Sequence, residues 1–141
     1  MGAIGRRLAM IEKHVERLKE GGKSLSYETF LVNDETQTVV ERRLHICLEA
    51  LIDVGLRIVS HLGLEKPERY RDLPVILVRS NVIPNNELEV FEKMISFRNV
   101  LVHLYAELDP ARVYEALQKT DDIRRMASHI ANFVRDKGVD P

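Results

Sequence analysis

The stretch NDETQTVVERRLHICLEALIDVGLRIVSHLG, Asn33 to Gly63, decides how this chain folds. Val40, Leu44, Cys47, Leu51, Val54, Ile58 and Leu62 recur at intervals of three and four, which is the repeat of one helical face. Asn33 and Asp34 offer N-caps and Gly63 a stop, so the spacing predicts one long helix. Ile46, Ile52 and Leu56 add apolar surface on its other side, and a helix apolar nearly all round is one that is buried or covers a second surface. On that second side also sit His45, Glu49, Asp53 and Arg57. Glu49 and Asp53 are one turn apart, and Asp53 and Arg57 are spaced for an ordinary i, i+4 ion pair.

Outward from this spine the chain stays helical. Ile4, Leu8, Ile11, Val15 and Leu18 form an amphipathic stripe that Gly21-Gly22 ends, and Ser26 to Phe30 begins a short helical segment. Lys66 to Pro74 reads as a loop leading into a short helix capped by Asp72, and Asn81 to Asn86 as the next break. Helical pattern resumes at Glu87 and runs to about Tyr105. Asp109-Pro110 is a restart, with Asp as N-cap and Pro at the first helical position. A single last helix is expected from Ala111 towards Lys137, with Val113, Leu117, Ile123, Met126, Ile130 and Val134 inward and Gly138 at its end. The expected fold is all-α, a bundle of about five helices, with residues 1–141 as one domain.

Composition narrows the function. Lys and Arg number 21 against 22 Asp and Glu, a net charge of -1, so there is no global electrostatic case for nucleic acid and any such contact rests on a local basic patch. Cys47 is the only cysteine, which excludes a disulfide within one chain and a cysteine zinc cluster; it reads as a small buried hydrophobe. His14, His45, His61, His103 and His129 lack paired metal-ligand spacing, and neither a phosphate-cradling glycine loop nor a nucleophile-elbow serine occurs. Chemistry on this chain would be acid–base and electrostatic, with no metal and no cofactor. The opening MGAIGRRLAMIEKHVERL lacks the apolar run of a signal peptide and no segment reaches the roughly 20 apolar residues of a membrane span, so no membrane is expected and the cytoplasm is.

RNVLVHLY, Arg98 to Tyr105, is the stretch that a plain helical core does not explain. At about 100° per residue, Phe91, Met94, Leu101, Val102 and Tyr105 all fall near Arg98, whereas Asn99 and His103 fall together on the polar side. An arginine in an apolar stripe needs a carboxylate, a phosphate or water. Glu49 or Asp53 could supply the first; in a cleft or subunit interface the forked guanidinium would suit a phosphate. Arginine can stabilise charge building on a phosphoryl oxygen, and histidine can move a proton near neutral pH.

Arg98-x4-His103-x-Tyr105 resembles the RX4HXY signature of the HepT family within the HEPN superfamily. The resemblance extends over RLAMIEKHVERL, the spine ERRLHICLEALIDVGLRIV, the linker KPERYRDLP, MISFRNVLVHLY and DPARVYEALQKTDDI, essentially the whole chain. It implies a helical homodimer acting as the RNase toxin of a toxin–antitoxin pair, whose antitoxin is a small MntA-type nucleotidyltransferase. It further implies that Arg98 and His103 are catalytic on an RNA substrate without a metal, that Asn99 supports them, and that Tyr105 is the tyrosine adenylylated to silence the toxin. A dimer also follows from the spine and the motif helix, which show more apolar surface than one small bundle can hide. The competing reading is a non-catalytic helical subunit that binds a nucleotidyltransferase and a nucleotide, with Arg98 as an anchor only.

Overall fold

The computed structural model describes residues 2–103 and 108–139. These residues form α1 (Ala3–Gly22), α2 (Tyr27–Leu31), α3 (Asp34–His61), α4 (Leu73–Arg79), α5 (Leu88–His103), α6 (Pro110–Gln118) and α7 (Thr120–Lys137), with no strand among them. The all-α expectation holds. None of these helices is long and apolar enough to cross a membrane.

The spine forms as its pattern dictates. Asn33 caps α3 by accepting from the Thr36 backbone N–H at 3.0 Å, and Gly63 ends it at a φ of +69°, which favours glycine. Val40, Leu44, Cys47, Leu51, Val54 and Ile58 are all buried, and Leu48, Ile52 and Val59 bury a second face. α1 packs antiparallel along α3 through Ile4, Ile11, Val15 and Leu18, while α4, α5 and α6 cover other parts of the spine. Cys47 is fully buried against the Ile11 carbonyl, and that burial pushes its thiol up to about 12.

Gly55 permits a close approach of α4 to α3. A Cβ there would lie 2.8 Å from Leu73 Cδ2 and 3.3 Å from Leu77 Cδ1, so the bare glycine backbone is what lets α4 settle onto α3.

Two local expectations differ from what forms. Asp72 precedes α4 but does not cap it: a 3₁₀ turn over Tyr70–Asp72 runs into the helix, and the Asp72 side chain accepts no capping bond. The single last helix divides at Lys119, whose φ of -111° and ψ of 24° leave the helical region. The division lets α6 pack against α2 and α3 while α7 turns along α1, where Arg124 reaches Glu12 and Glu16 and Lys19 reaches Asp121. Asp121 and Asp122 in the first turn of α7 fit a helix start, a signal the apolar repeat concealed. The described helices therefore number seven rather than about five. At Asp109-Pro110 the restart is as expected, with Asp109 Oδ1 accepting from the Ala111 N–H at 2.9 Å.

α5 is fastened at its N-terminal end by a buried carboxylate. Glu87, 3% exposed, accepts from Arg125 Nε and Nη2 at 2.8 and 2.9 Å and lies 3.2 Å from His129 Nε2. The Arg125 hydrogen bonds hold the Glu87 carboxyl below the usual carboxylate range.

Candidate active site

Arg98 leaves α5 towards α3, and its guanidinium is held on three sides. Nε donates to Glu49 Oε2 at 2.7 Å and Nη2 to Oε1 at 3.1 Å, a forked pair across the two helices. Nη1 donates to Asn99 Oδ1 at 3.0 Å. Tyr70, on the 3₁₀ turn before α4, lies with its ring centroid 5.0 Å from Arg98 Cζ, within cation–π range. Only 12% of the Arg98 side chain is exposed, so its position in an apolar stripe is reconciled by pairing and by an aromatic face. The bonds to Glu49 and Asn99 use three of the five N–H donors.

Of the two acidic candidates, Glu49 meets Arg98 and Asp53 does not. Asp53 is shared by Arg57, whose Nε lies 3.0 Å from it, and by Arg7 of α1. His45 stands one turn before Glu49 with Nε2 3.6 Å from Oε2, extending the polar line along α3. Asn99 is exposed and bonded to Arg98. His103 is exposed too, about 140° around α5 from Arg98, so one chain does not bring the two motif side chains together on one face. Tyr105 lies outside the described residues. Tyr70 was not singled out from the sequence. It falls in an irregular linker without periodicity, and only the docking of that linker over α5 places its ring.

The architecture is that of the HEPN helical bundles: the fold superposes with a TM-score of 0.83 on the tri-AMPylated HEPN toxin of Shewanella oneidensis solved in complex with its MNT antitoxin, at 27% identity over 94% of this chain and 99% of that one. The family described as Ribonuclease HepT-like matches residues 11–130, and the chain belongs to it. It is similar to the tRNA nuclease HepT of Aphanizomenon flos-aquae, 27% identical over 114 residues, 81% of this chain and 77% of that protein. It is likewise similar to the mRNA nuclease HepT of Shewanella oneidensis, 28% identical over 114 residues, 79% of this chain and 83% of that protein.

Proposed function

We propose that this protein is a metal-independent endoribonuclease, the toxin of a pair whose antitoxin is an MntA-type nucleotidyltransferase, and that residues 1–141 act as one unit, as a homodimer in the cytoplasm. The observation that carries the reading is the intact Arg98-x4-His103-x-Tyr105 motif, whose arginine, on α5, is already fixed in plane by Glu49, Asn99 and Tyr70. The relatives named as nucleases, and the related toxin solved with its antitoxin, support it over a purely binding role.

In this mechanism the RNA supplies its own nucleophile. His103, exposed and free to approach, takes the proton of a 2′-hydroxyl. The 2′-oxygen attacks the adjacent phosphorus, and the bond to the 5′-oxygen breaks as that oxygen takes the proton that His103 carries, returning the histidine to its neutral form. Arg98 offers the second N–H of each Nη nitrogen to the phosphoryl oxygens as negative charge builds there. Glu49 and Tyr70 keep that fork from turning, which contributes orientation rather than new charge. The products are a 2′,3′-cyclic phosphate and a 5′-hydroxyl. The separation of Arg98 and His103 around α5 favours a site completed across the dimer, with the motif of one protomer facing that of its partner. Adenylylation of Tyr105, the last residue of the motif, would add bulk and phosphate charge, and the Arg98 guanidinium would bind that modification in place of substrate.

The test is cleavage of RNA in excess EDTA with the ends identified chemically. Arg98→Ala and His103→Ala are each expected to lower cleavage by at least 100-fold with the helical circular dichroism unchanged. Full cleavage by His103→Ala in EDTA, or an unfolded Arg98→Met protein, would remove the assigned roles.

A further inference from the structure

The α1–α3 seam carries a group of cations that the proposed chemistry does not use. Because α1 and α3 run antiparallel, Lys13, His14 and Arg17 of α1 come opposite Arg42 and Arg43 of α3, and Arg43 Nη1 lies 2.9 Å from His14 Nδ1. A guanidinium only donates, so His14 Nδ1 is the acceptor and the ring is neutral with its proton on Nε2. Lys13, Arg17 and Arg42 are exposed, and among the described residues none of these three nor Arg43 is ion-paired with a carboxylate. Of the acids of α1, Glu12 and Glu16 are turned to Arg124 on α7, and Glu20, three residues beyond Arg17, is exposed and not ion-paired with it. Between the start of α3 and the end of α1 a groove of about 270 Å³ opens beside the cluster, with Arg17 and Arg43 in its walls, Val39 and Leu25 as apolar surface, and Glu35 as its acid.

Four unneutralised cations side by side repel one another, and in a chain of net charge -1 that arrangement is not a by-product of composition. We infer that Lys13, Arg17, Arg42 and Arg43 form an anion-binding track for the phosphodiester backbone of single-stranded RNA, separate from the motif arginine. The spacing fits a linear polyanion. Lys13 and Arg17 are one turn apart, and Arg42 lies on the same side of α3 as Glu49, seven residues or about 10 Å before it along the axis. A strand held on the track thus continues past His45 to Arg98 where Glu49 holds it. The groove gives one base an apolar wall with its phosphate at Arg17 and Arg43. Partial burial, and then Arg43, Lys13, Arg17 and Arg42, hold His14 below the ordinary histidine value, in keeping with the neutral ring that its contact with Arg43 requires.

This inference rests on the RNase reading for its substrate, so binding is tested apart from cleavage. The probe is a fluorescein-labelled, fully 2′-O-methylated RNA oligomer, which cannot cleave by attack of its own 2′-hydroxyl, titrated with the full chain across a salt series. The wild type is expected to bind, and the triple variant Lys13→Gln, Arg17→Gln, Arg42→Gln to bind at least 10-fold more weakly, with a salt slope reduced by about two, near 0.7 per lost phosphate contact. Relief of like-charge repulsion predicts an unchanged or higher melting temperature for that variant, which a structural role for these cations would not give. If the triple variant fails to fold, Arg17→Gln and Arg42→Gln measured singly are each expected to remove about 0.7 from the slope. The inference is overturned if the wild type does not bind the probe, or if the variants match wild type in affinity and slope. It is also overturned if Lys66→Gln with Lys137→Gln, outside the cluster, weakens binding equally, or if an acidic protein surface is bound through these residues and RNA is not. Wild type that binds the probe but leaves ordinary RNA intact would sink the RNase reading and keep the track; wild type that cleaves RNA with a KM indifferent to the triple variant would do the reverse.

Discussion

Replacing Glu87 by Gln isolates what the buried carboxylate contributes to holding the motif helix. Glu87 is 3% exposed and accepts two charge-assisted hydrogen bonds from Arg125, at 2.8 and 2.9 Å, with His129 Nε2 at 3.2 Å. Glutamine keeps the volume and one acceptor oxygen but turns an amide NH2 towards a guanidinium, so one of the two bonds becomes a donor–donor contact. Hydrogen bonds to charged groups contribute about 1.5–3 kcal/mol each, and removing one partner of a fully buried pair costs about 3–5 kcal/mol. Arg125 keeps 45% of its side chain in water and also reaches Asp122 at 2.9 Å, so its charge rehydrates and the lower range applies. The expected loss is about 2–3 kcal/mol at pH 7, roughly 5–10 °C in melting temperature for a chain of this size. Since the folded Glu87 carboxyl titrates below its unfolded value of about 4.3, the contribution is complete above that pH and is lost as the pH falls through the folded value. Urea unfolding of both proteins at pH 7 and pH 3 reads both statements. A Gln variant within 0.5 kcal/mol of wild type at pH 7, or a gap undiminished at pH 3, would refute the reasoning.

Glu49→Gln should leave the helical content intact and lower kcat for RNA by about 10–100-fold with little change in KM, because Arg98 loses its planar anchor rather than its charge; equal kcat would show that orientation by Glu49 is not needed. Gly55→Val should destabilise the fold by about 2 kcal/mol in urea titration, since its side chain must displace the buried Leu73 and Leu77; an unchanged midpoint would mean that α4 shifts freely. Incubation with the cognate nucleotidyltransferase, ATP and magnesium should add mass in AMP increments at Tyr105 and silence cleavage in proportion, and Tyr105→Phe should resist; AMP mapped to another residue would take Tyr105 out of the control mechanism.

The sequence by itself determined the all-α pattern and the motif, though not the break at Lys119 that divides the last helix. A helical face repeats within seven residues, so Val40 to Ile58 could be read as one buried stripe, and Asp109-Pro110 as a start, from local spacing alone. Capping depends on a few neighbouring atoms and was legible for the same reason at Asn33, though not at Asp72, where a 3₁₀ turn competes with the cap. The resemblance of RNVLVHLY and its flanks added what no periodicity carries, the chemistry proposed for Arg98 and His103. Only tertiary structure decided which partners those residues meet. Glu49 and Asp53 are equivalent in spacing, and the choice of Glu49 for Arg98 came from where α5 crosses α3 and from Arg7 of α1 joining Arg57 at Asp53. Tyr70 over Arg98, Arg125 on Glu87 and the cations facing one another across α1 and α3 likewise join residues distant in the chain. Such contacts are fixed by the crossing and register of whole helices, which the packing of the common core sets and no single stretch of sequence records.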